Sequence, residues 1–305
     1  MSSLSQTATA PKRRKMDKAR LKKYSFKYTV SLVRWIFILG MCFVVLFPLF
    51  KQIVLSVMSE SDLYDATVNY IPKHLTWENY SNAWTKLGGW ETILNSFALT
   101  ISCSVLIVIS ATLVGYGLAR FKFRLNGLLF VLVILALVLP SDLLFTPRYI
   151  MFVRLHMVDN SFIPMLLFAV TCTGFKCSLY IFLMRQFFKG QPHELEEAAY
   201  VDGAGPLKTF IKIMLPGAVA MMVTVFLFSF VWQWLDSSYT TIFMREVSLI
   251  STKAGGLGYD HLASGLSQSL TKNAGIMIII APLIVLYIFT QRFFVESISR
   301  SGLVG

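Results

Sequence analysis

Trp232, Gln233 and Asp236 cluster in the stretch SFVWQWLDSSY, Ser229 to Tyr239, and their types suit non-covalent recognition of a sugar. An aromatic face covers the C–H surface of a pyranose, while an amide and a carboxylate exchange hydrogen bonds with its hydroxyls. On a helix Gln233 and Asp236 share a face at i and i+3, with Trp232 adjoining Asp236 at i+4. Trp234 falls on another side as an interfacial anchor, and the group also reads as an outer tryptophan belt. Lys176 stands near the middle of an apolar run. A charge there is costly unless it lines a polar path or meets a carboxylate on a partner helix. Bond-making chemistry has no comparable constellation. The chain has no Gly-Lys dipeptide and so no GxxxxGK[ST] phosphate loop, and it has no HExxH, GxSxG or CxxC motif. Its four histidines, His74, His156, His193 and His261, are scattered over four loops. No catalytic, cofactor-binding or metal site is expected in this chain.

The elements that must position these residues are membrane spans. A 305-residue chain that is 55% hydrophobic, with 25 phenylalanines, carries more apolar surface than one soluble core hides. It reads as an all-α integral membrane protein with six transmembrane helices. Apolar runs near the bilayer-crossing length of about 20 residues fall at 32–57, 92–118, 128–150, 162–184, 218–235 and 274–294. Pro48 is positioned to kink the first, Pro282 lies in the last, and Pro140, Asp142 and Pro147 interrupt the third. Broken helices at membrane depth belong beside protein or a water-filled cavity. The first run is too long for the apolar region of a signal peptide. The net charge of +12 collects beside the spans, a pattern that sets orientation rather than nucleic-acid binding. Residues 1–30 read as a basic, disordered cytoplasmic tail, 31–297 as the six-helix domain and 298–305 as a second cytoplasmic tail. Loops 58–90 and 237–273 then lie outside. Cys42, Cys103, Cys172 and Cys177 sit inside apolar runs as small hydrophobes.

One long polar interruption remains, KGQPHELEEAAYVDGAGPLKTFIKIMLPG, residues 189–217. Pro192 fits a first helical turn, and Glu194, Glu196 and Glu197 fall near the positive end of that helix. Ala198 and Ala199 give a small-residue surface that a partner can approach closely. Asp202, Gly203, Gly205 and Pro206 form a turn, after which Leu207, Phe210, Ile211, Met214 and Leu215 repeat at helical spacing, with Lys208 and Lys212 off that face. The segment reads helix, turn, amphipathic helix; its plainest alternative is an ordinary loop helix between two spans.

Glu197, Ala198, Ala199, Gly203, Ile213, Leu215 and Pro216 complete the pattern Glu-Ala-Ala, three residues, Gly, nine residues, Ile, one residue, Leu-Pro. This resembles the loop that defines the permease subunits of ATP-binding-cassette importers. The wording PHELEEAAYVDGAG, preceded by FLMRQFF, together with LTWENYSNAW, GYGLARFKF and QRFFVESISRSGLVG, looks like the carbohydrate-uptake branch, on the side of the maltose-type second permease. Two departures stand out: no Asn-Asp pair follows Trp232, and Ser297 replaces a commoner glycine. The resemblance implies a type I permease architecture, with Glu197, Ala198, Ala199, Asp202 and Gly203 in a coupling helix that docks on an ATPase. It also implies a second permease subunit in a heterodimer, two cytoplasmic ATPase subunits that hold ATP and Mg, and an extracellular solute-binding protein delivering a sugar or oligosaccharide. The expected location is the plasma membrane of a prokaryote, among lipid and without nucleic acid, with both termini cytoplasmic. The nearest rival keeps the importer and changes the cargo to a polyol, glycerol phosphate or a polyamine. A membrane enzyme or channel has no need of an ATPase-docking loop.

Overall fold

The computed structural model describes residues 18–158, 162–174, 176–258 and 265–301. Among them the only extended pairing is an isolated bridge between Met58 and Leu75; the rest is helix and connection. The helices are α1 (Lys18–Val57), α2 (Glu60–Tyr64), α3 (Glu78–Leu87), α4 (Gly89–Arg120), α5 (Asn126–Val138), α6 (Phe145–Arg154), α7 (Ile163–Val170), α8 (Cys177–Lys189) and α9 (Glu194–Val201). There follow α10 (Pro206–Thr209), α11 (Leu215–Gly217), α12 (Val219–Leu235), α13 (Ser238–Phe243), α14 (Ile250–Ala254) and α15 (Gly265–Ser301).

The chain divides into two units, one ending at Gln52 and one beginning at Ile53. The first is the greater part of α1, whose apolar side chains from Phe26 to Phe50 are exposed except for a half-buried Phe47, as suits a helix solvated by lipid. The helix starts at Lys18, so residues 18–30, expected as disordered tail, are helical. Lysine and arginine are good helix formers, and the apolar helix ahead supplies a nucleus from which they extend. Pro48 lies inside α1 without ending it. Residues 298–301 of the second expected tail continue α15; residues 1–17 and 302–305, and 259–264 with His261, lie outside the described residues.

In the second unit α4 runs through the core, packing on α7, α8 and α12. Its buried face mixes small and polar residues, Thr92, Ser96, Thr100, Cys103, Ser104, Ala111, Thr112 and Gly115, with Leu99, Ile107, Val108, Tyr116 and Leu118. Between membrane helices it is close backbone approach, rather than bulk, that gains contact. At Gly115 a Cβ would lie 2.6 Å from the Cβ of Met184 and 2.9 Å from the backbone nitrogen of Arg185. Tyr180, Met184 and Phe188 of α8 complete this core with Phe210, Met214 and Val225. A second core gathers Ala83, Leu87, Phe230, Trp234, Leu257 and Ala274. Trp234 is fully buried and donates its indole N–H to the carbonyl of Ile279 at 3.0 Å. It is therefore a core residue and not the interfacial anchor expected; its polar edge is satisfied by α15, so it needs no water.

Among the described residues three helices are long and apolar enough to cross a membrane, 26–57, 89–120 and 267–293; a fourth follows if 206–217 and α12, bent by 72°, count as one. The other two expected spans are divided. The 128–150 run breaks at Pro140 into α5, a 3-10 turn (Ser141–Leu144) and α6. The 162–184 run is divided between α7, ending at Val170, and α8, starting at Cys177; Cys172 (φ 50°) and Lys176 (φ 61°) are left-handed there, and the amides of Thr173 and Gly174 return to the carbonyl of Phe168. The segments expected as outer loops carry α2 and α3, and α13 and α14 with the start of α15. They are tied down by side chains. The Asp62 carboxylate accepts the backbone N–H groups of Lys73 and His74, each at 2.8 Å, and lies 2.8 Å from His74 Nδ1. The His74 amide, chiefly, holds this carboxyl below its ordinary range. Ser96 Oγ of α4 accepts the N–H of Ile250 at 2.8 Å.

Candidate functional site

Two regions gather the residues singled out in the sequence. In the first, α9 begins at Glu194 with His193 at its N-cap, so Pro192 lies just outside the first turn where it was expected. Glu194, Glu196 and Glu197 still occupy that turn, where the helix dipole favours negative charge. The helix ends in a left-handed Gly203 (φ 77°), with Gly203 N–H bonded to Tyr200 O and Ala204 N–H to Ala199 O at 3.0 and 2.9 Å. That pair of reversed bonds is a Schellman closure, which needs a residue without a Cβ penalty at its pivot.

One face of α9 is turned inward. Glu196 and Ala199 are buried, while Glu197, Ala198, Asp202 and Gly203 are exposed. Glu196 accepts a hydrogen bond from Tyr116 Oη at 2.8 Å and pairs with Arg120 Nε at 3.5 Å. Arg120 also donates to the carbonyl of Gln191 at 2.8 Å. The C-terminal end of α4 thus holds both the entry to α9 and its first turn. Tyr116 in turn packs between Phe188 and Phe210, with ring centroids at 5.3 and 4.6 Å. Glu196, Tyr116 and Arg120 were not among the expected site residues; the partners of Glu196 lie some 80 positions upstream, beyond any periodic signal.

Beyond the turn, α10 runs into a π-helical turn over Phe210–Met214 and then α11. The expected apolar face splits. Phe210 and Met214 are buried, whereas Leu207 and Ile211 are 70% and 51% exposed. A π turn widens the helix by one residue and so rotates the following side chains relative to an α-helical face. Leu207 and Ile211, with Leu195, Tyr200 and Val201, leave exposed apolar side chains on this segment.

The second region is a pair of cavities. Trp232, Gln233 and Asp236 line a cavity of about 30 Å3 together with Tyr180 and Gly174, room for a single water. Within it Gln233 Nε2 and Tyr180 Oη are buried without a hydrogen-bond partner. Asp236 acts locally, because its carboxylate accepts the N–H groups of Tyr239 and Thr240 at 3.3 and 3.0 Å and so caps α13. Lys176 lies with its Nζ 5.2 Å from the centroid of the Trp232 ring. The four expected path residues are therefore neighbours, although Lys176 lines a different, open cavity of about 590 Å3 with Arg148, Thr173 and Ser178. Arg148, absent from the expected site residues, donates to Tyr239 Oη at 3.3 Å and lies over the Phe168 ring. Among the described residues no cluster of His, Cys, Asp and Glu could hold a metal ion.

Known proteins share both the sequence pattern and the fold. A family model described as binding-protein-dependent transport system inner membrane component matches residues 111–300. The sn-glycerol-3-phosphate transport system permease protein UgpE of Escherichia coli (strain K12) is 28% identical over 270 residues, covering 87% of this chain and 94% of that protein. UgpE of Shigella flexneri serotype 5b (strain 8401) matches with the same identity and coverage. The crystal structure of a bacterial ABC transporter involved in the import of the acidic polysaccharide alginate shares the fold, with a TM-score of 0.72 at 20% identity over 88% of this chain and 97% of that chain.

Proposed function

Because the chain belongs to the family of binding-protein-dependent transport system inner membrane components, we propose that it carries a sugar or oligosaccharide through the membrane, with residues 189–217 transmitting the work of ATP hydrolysis. It is a transport subunit of an ABC importer, not an enzyme. Such a system has, besides this permease, a second permease, ATPases and a binding protein. In our reading the second permease differs from this one, two cytoplasmic ATPases hold ATP and Mg, and the binding protein docks on the face formed by 58–90 and 237–273.

The observation that carries this reading is the construction of α9. Its inner face is anchored by a buried Glu196, and its outer face presents Glu197, Ala198, Val201 and Asp202 beside a glycine pivot. Small and apolar groups at the centre with charge at the rim are what a close-fitting protein interface requires. Gly203→Asp forces a side chain into a left-handed position, and Glu197→Lys inverts a charge at the docking surface. Both variants are expected to insert normally and to lose coupling between ATPase activity and transport. Uptake, ATPase activity and ATPase copurification are measured together; wild-type transport with normally coupled ATPase in both variants overturns the assignment.

Glycerol phosphate is the second reading of the cargo, favoured by the relative named for its transport. For either cargo, Trp232, Gln233, Asp236 and Lys176 are the path residues we propose.

A further inference from the structure

Tyr180 is fully buried, yet its phenol oxygen has no hydrogen-bond partner among the described residues, and the same holds for the enclosed amide nitrogen of Gln233. A polar group taken out of water needs a partner in exchange, and interiors leave few such groups unmatched. These two face one space, the cavity of about 30 Å3. They reach it from different elements, Tyr180 from α8 and Gln233 from the last turn of α12, and the two helices pack on one another. Part of the wall is apolar, with Ile107, Met165 and Phe168; Ser229, Trp232, Asp236 and Tyr239 complete it. Ser229 Oγ donates to the carbonyl of Phe226 at 3.0 Å, which leaves its lone pairs to accept. The Asp236 carboxylate takes the amides of Tyr239 and Thr240, and Tyr239 Oη receives Arg148.

The chemistry of this wall selects its occupant. Among the described lining residues Asp236 is the charged one, so an anion is repelled. A cation meets the hydrogens of a phenol and an amide, both donors. A neutral molecule that accepts and donates suits every group, and the volume admits one molecule of the size of water. Dry cavities in proteins are apolar, and this one is not.

We propose that the cavity is a binding site for one water molecule, which accepts from Tyr180 Oη and Gln233 Nε2, donates to Ser229 and Asp236, and so bridges α8 to the C-terminal end of α12. Through Asp236 the bridge also reaches the start of α13, which that carboxylate caps. A water differs from a direct side-chain bond in a way that matters to a transporter whose helices move. When α8 and α12 part, each polar group keeps a hydrated partner, and neither is stranded in an apolar setting. The site is independent of the cargo, because water fits it whichever solute is carried.

The direct test is a density map of the complete transporter, with its second permease, ATPases and binding protein, at a resolution that shows ordered water. One peak within about 3.2 Å of both Tyr180 Oη and Gln233 Nε2 is expected. An empty cavity overturns the site, as does a peak that touches neither atom. Thermal unfolding of the solubilised transporter gives a second reading, in which the sign decides. Tyr180→Phe and Gln233→Met keep the shape of each side chain and remove one polar group. Around a bound water each deletes one of its bonds, so each is expected to lower the melting temperature by about 2 °C, the scale of one hydrogen bond in a chain of this length. The double variant is expected to fall by less than the two shifts together, because the second change removes a group that the first has already deprived of its water. In a dry cavity each substitution deletes an unsatisfied buried group, so both raise the melting temperature and their effects add; that result overturns the proposal. Should either variant fail to assemble, the wild-type map decides.

Discussion

A carboxylate as enclosed as that of Glu196, 7% exposed, has to replace its hydration with partners, and Tyr116 and Arg120 are those partners. Removing it leaves a phenol and a guanidinium under-satisfied, at about 1–3 kcal/mol. Glu196→Ala is therefore expected to lower the detergent-solubilised melting temperature of the complex and to release ATPase on copurification. Glu196→Gln, still able to accept from Tyr116, should fall between it and wild type; equal melting of all three refutes the anchor. Asp62 makes a second residue-scale prediction. Its folded pKa is below the ordinary 3.8, with the His74 amide the largest cause, so its stabilising effect is complete above the unfolded value and is lost as pH falls through the lowered one. Protease protection of 62–74 in intact cells should not change between neutral and mildly acidic pH, and should be lost in Asp62→Ala at both; protection that survives the substitution shows the lock to be dispensable. At this scale the sequence put Gln233 and Asp236 on one helical face, but α12 ends at Leu235 and Asp236 is extended, so the two line one cavity across the helix end rather than along a shared face. It was silent on Glu196 and Arg148, because their partners are remote in the chain.

Among the elements, α4 and α8 meet at Gly115 with no room for a side chain. Gly115→Val would push the two helices apart, at about 1–3 kcal/mol for an overpacked contact, and should reduce the yield of inserted protein and the melting temperature. Gly205→Ala, with open space around it, serves as the control and should leave both unchanged; equal behaviour of the two substitutions refutes the close contact. The interruption of the third span was legible because Pro140 removes a donor and clashes with the preceding turn. That of the fourth was not, since Thr171, Thr173 and Gly174 do not forbid helix. What unwinds it is tertiary: the chain folds back so that Gly174 lies against Phe168. The split apolar face of 207–215 was hidden for a related reason, as spacing assumes α geometry and the segment takes a π turn.

For the molecule as a whole, the apolar runs carried most of the information about fold class, because lipid leaves the chain few alternatives to spanning helices. The distribution of basic residues beside those runs predicts orientation. In a background lacking Cys42, Cys103, Cys172 and Cys177, Tyr200→Cys should react with an impermeant thiol reagent only after the cells are opened, and Thr67→Cys should react without opening. Labelling of position 200 from outside intact cells reverses the topology. The 72° bend between 206–217 and α12 has a mechanical meaning as well. The 17 residues of α12 make a rod about 26 Å long at 1.5 Å per residue, running from the elbow to Trp232 and Gln233 in its last turn, with Asp236 just beyond its end. A tilt of about 5° at that elbow sweeps the far end through about 2 Å, given the rod length that helical rise sets. In the coupling role proposed above for residues 189–217, such a tilt is the crank that turns a push along the membrane surface into a sideways stroke at the residues that line the cavities.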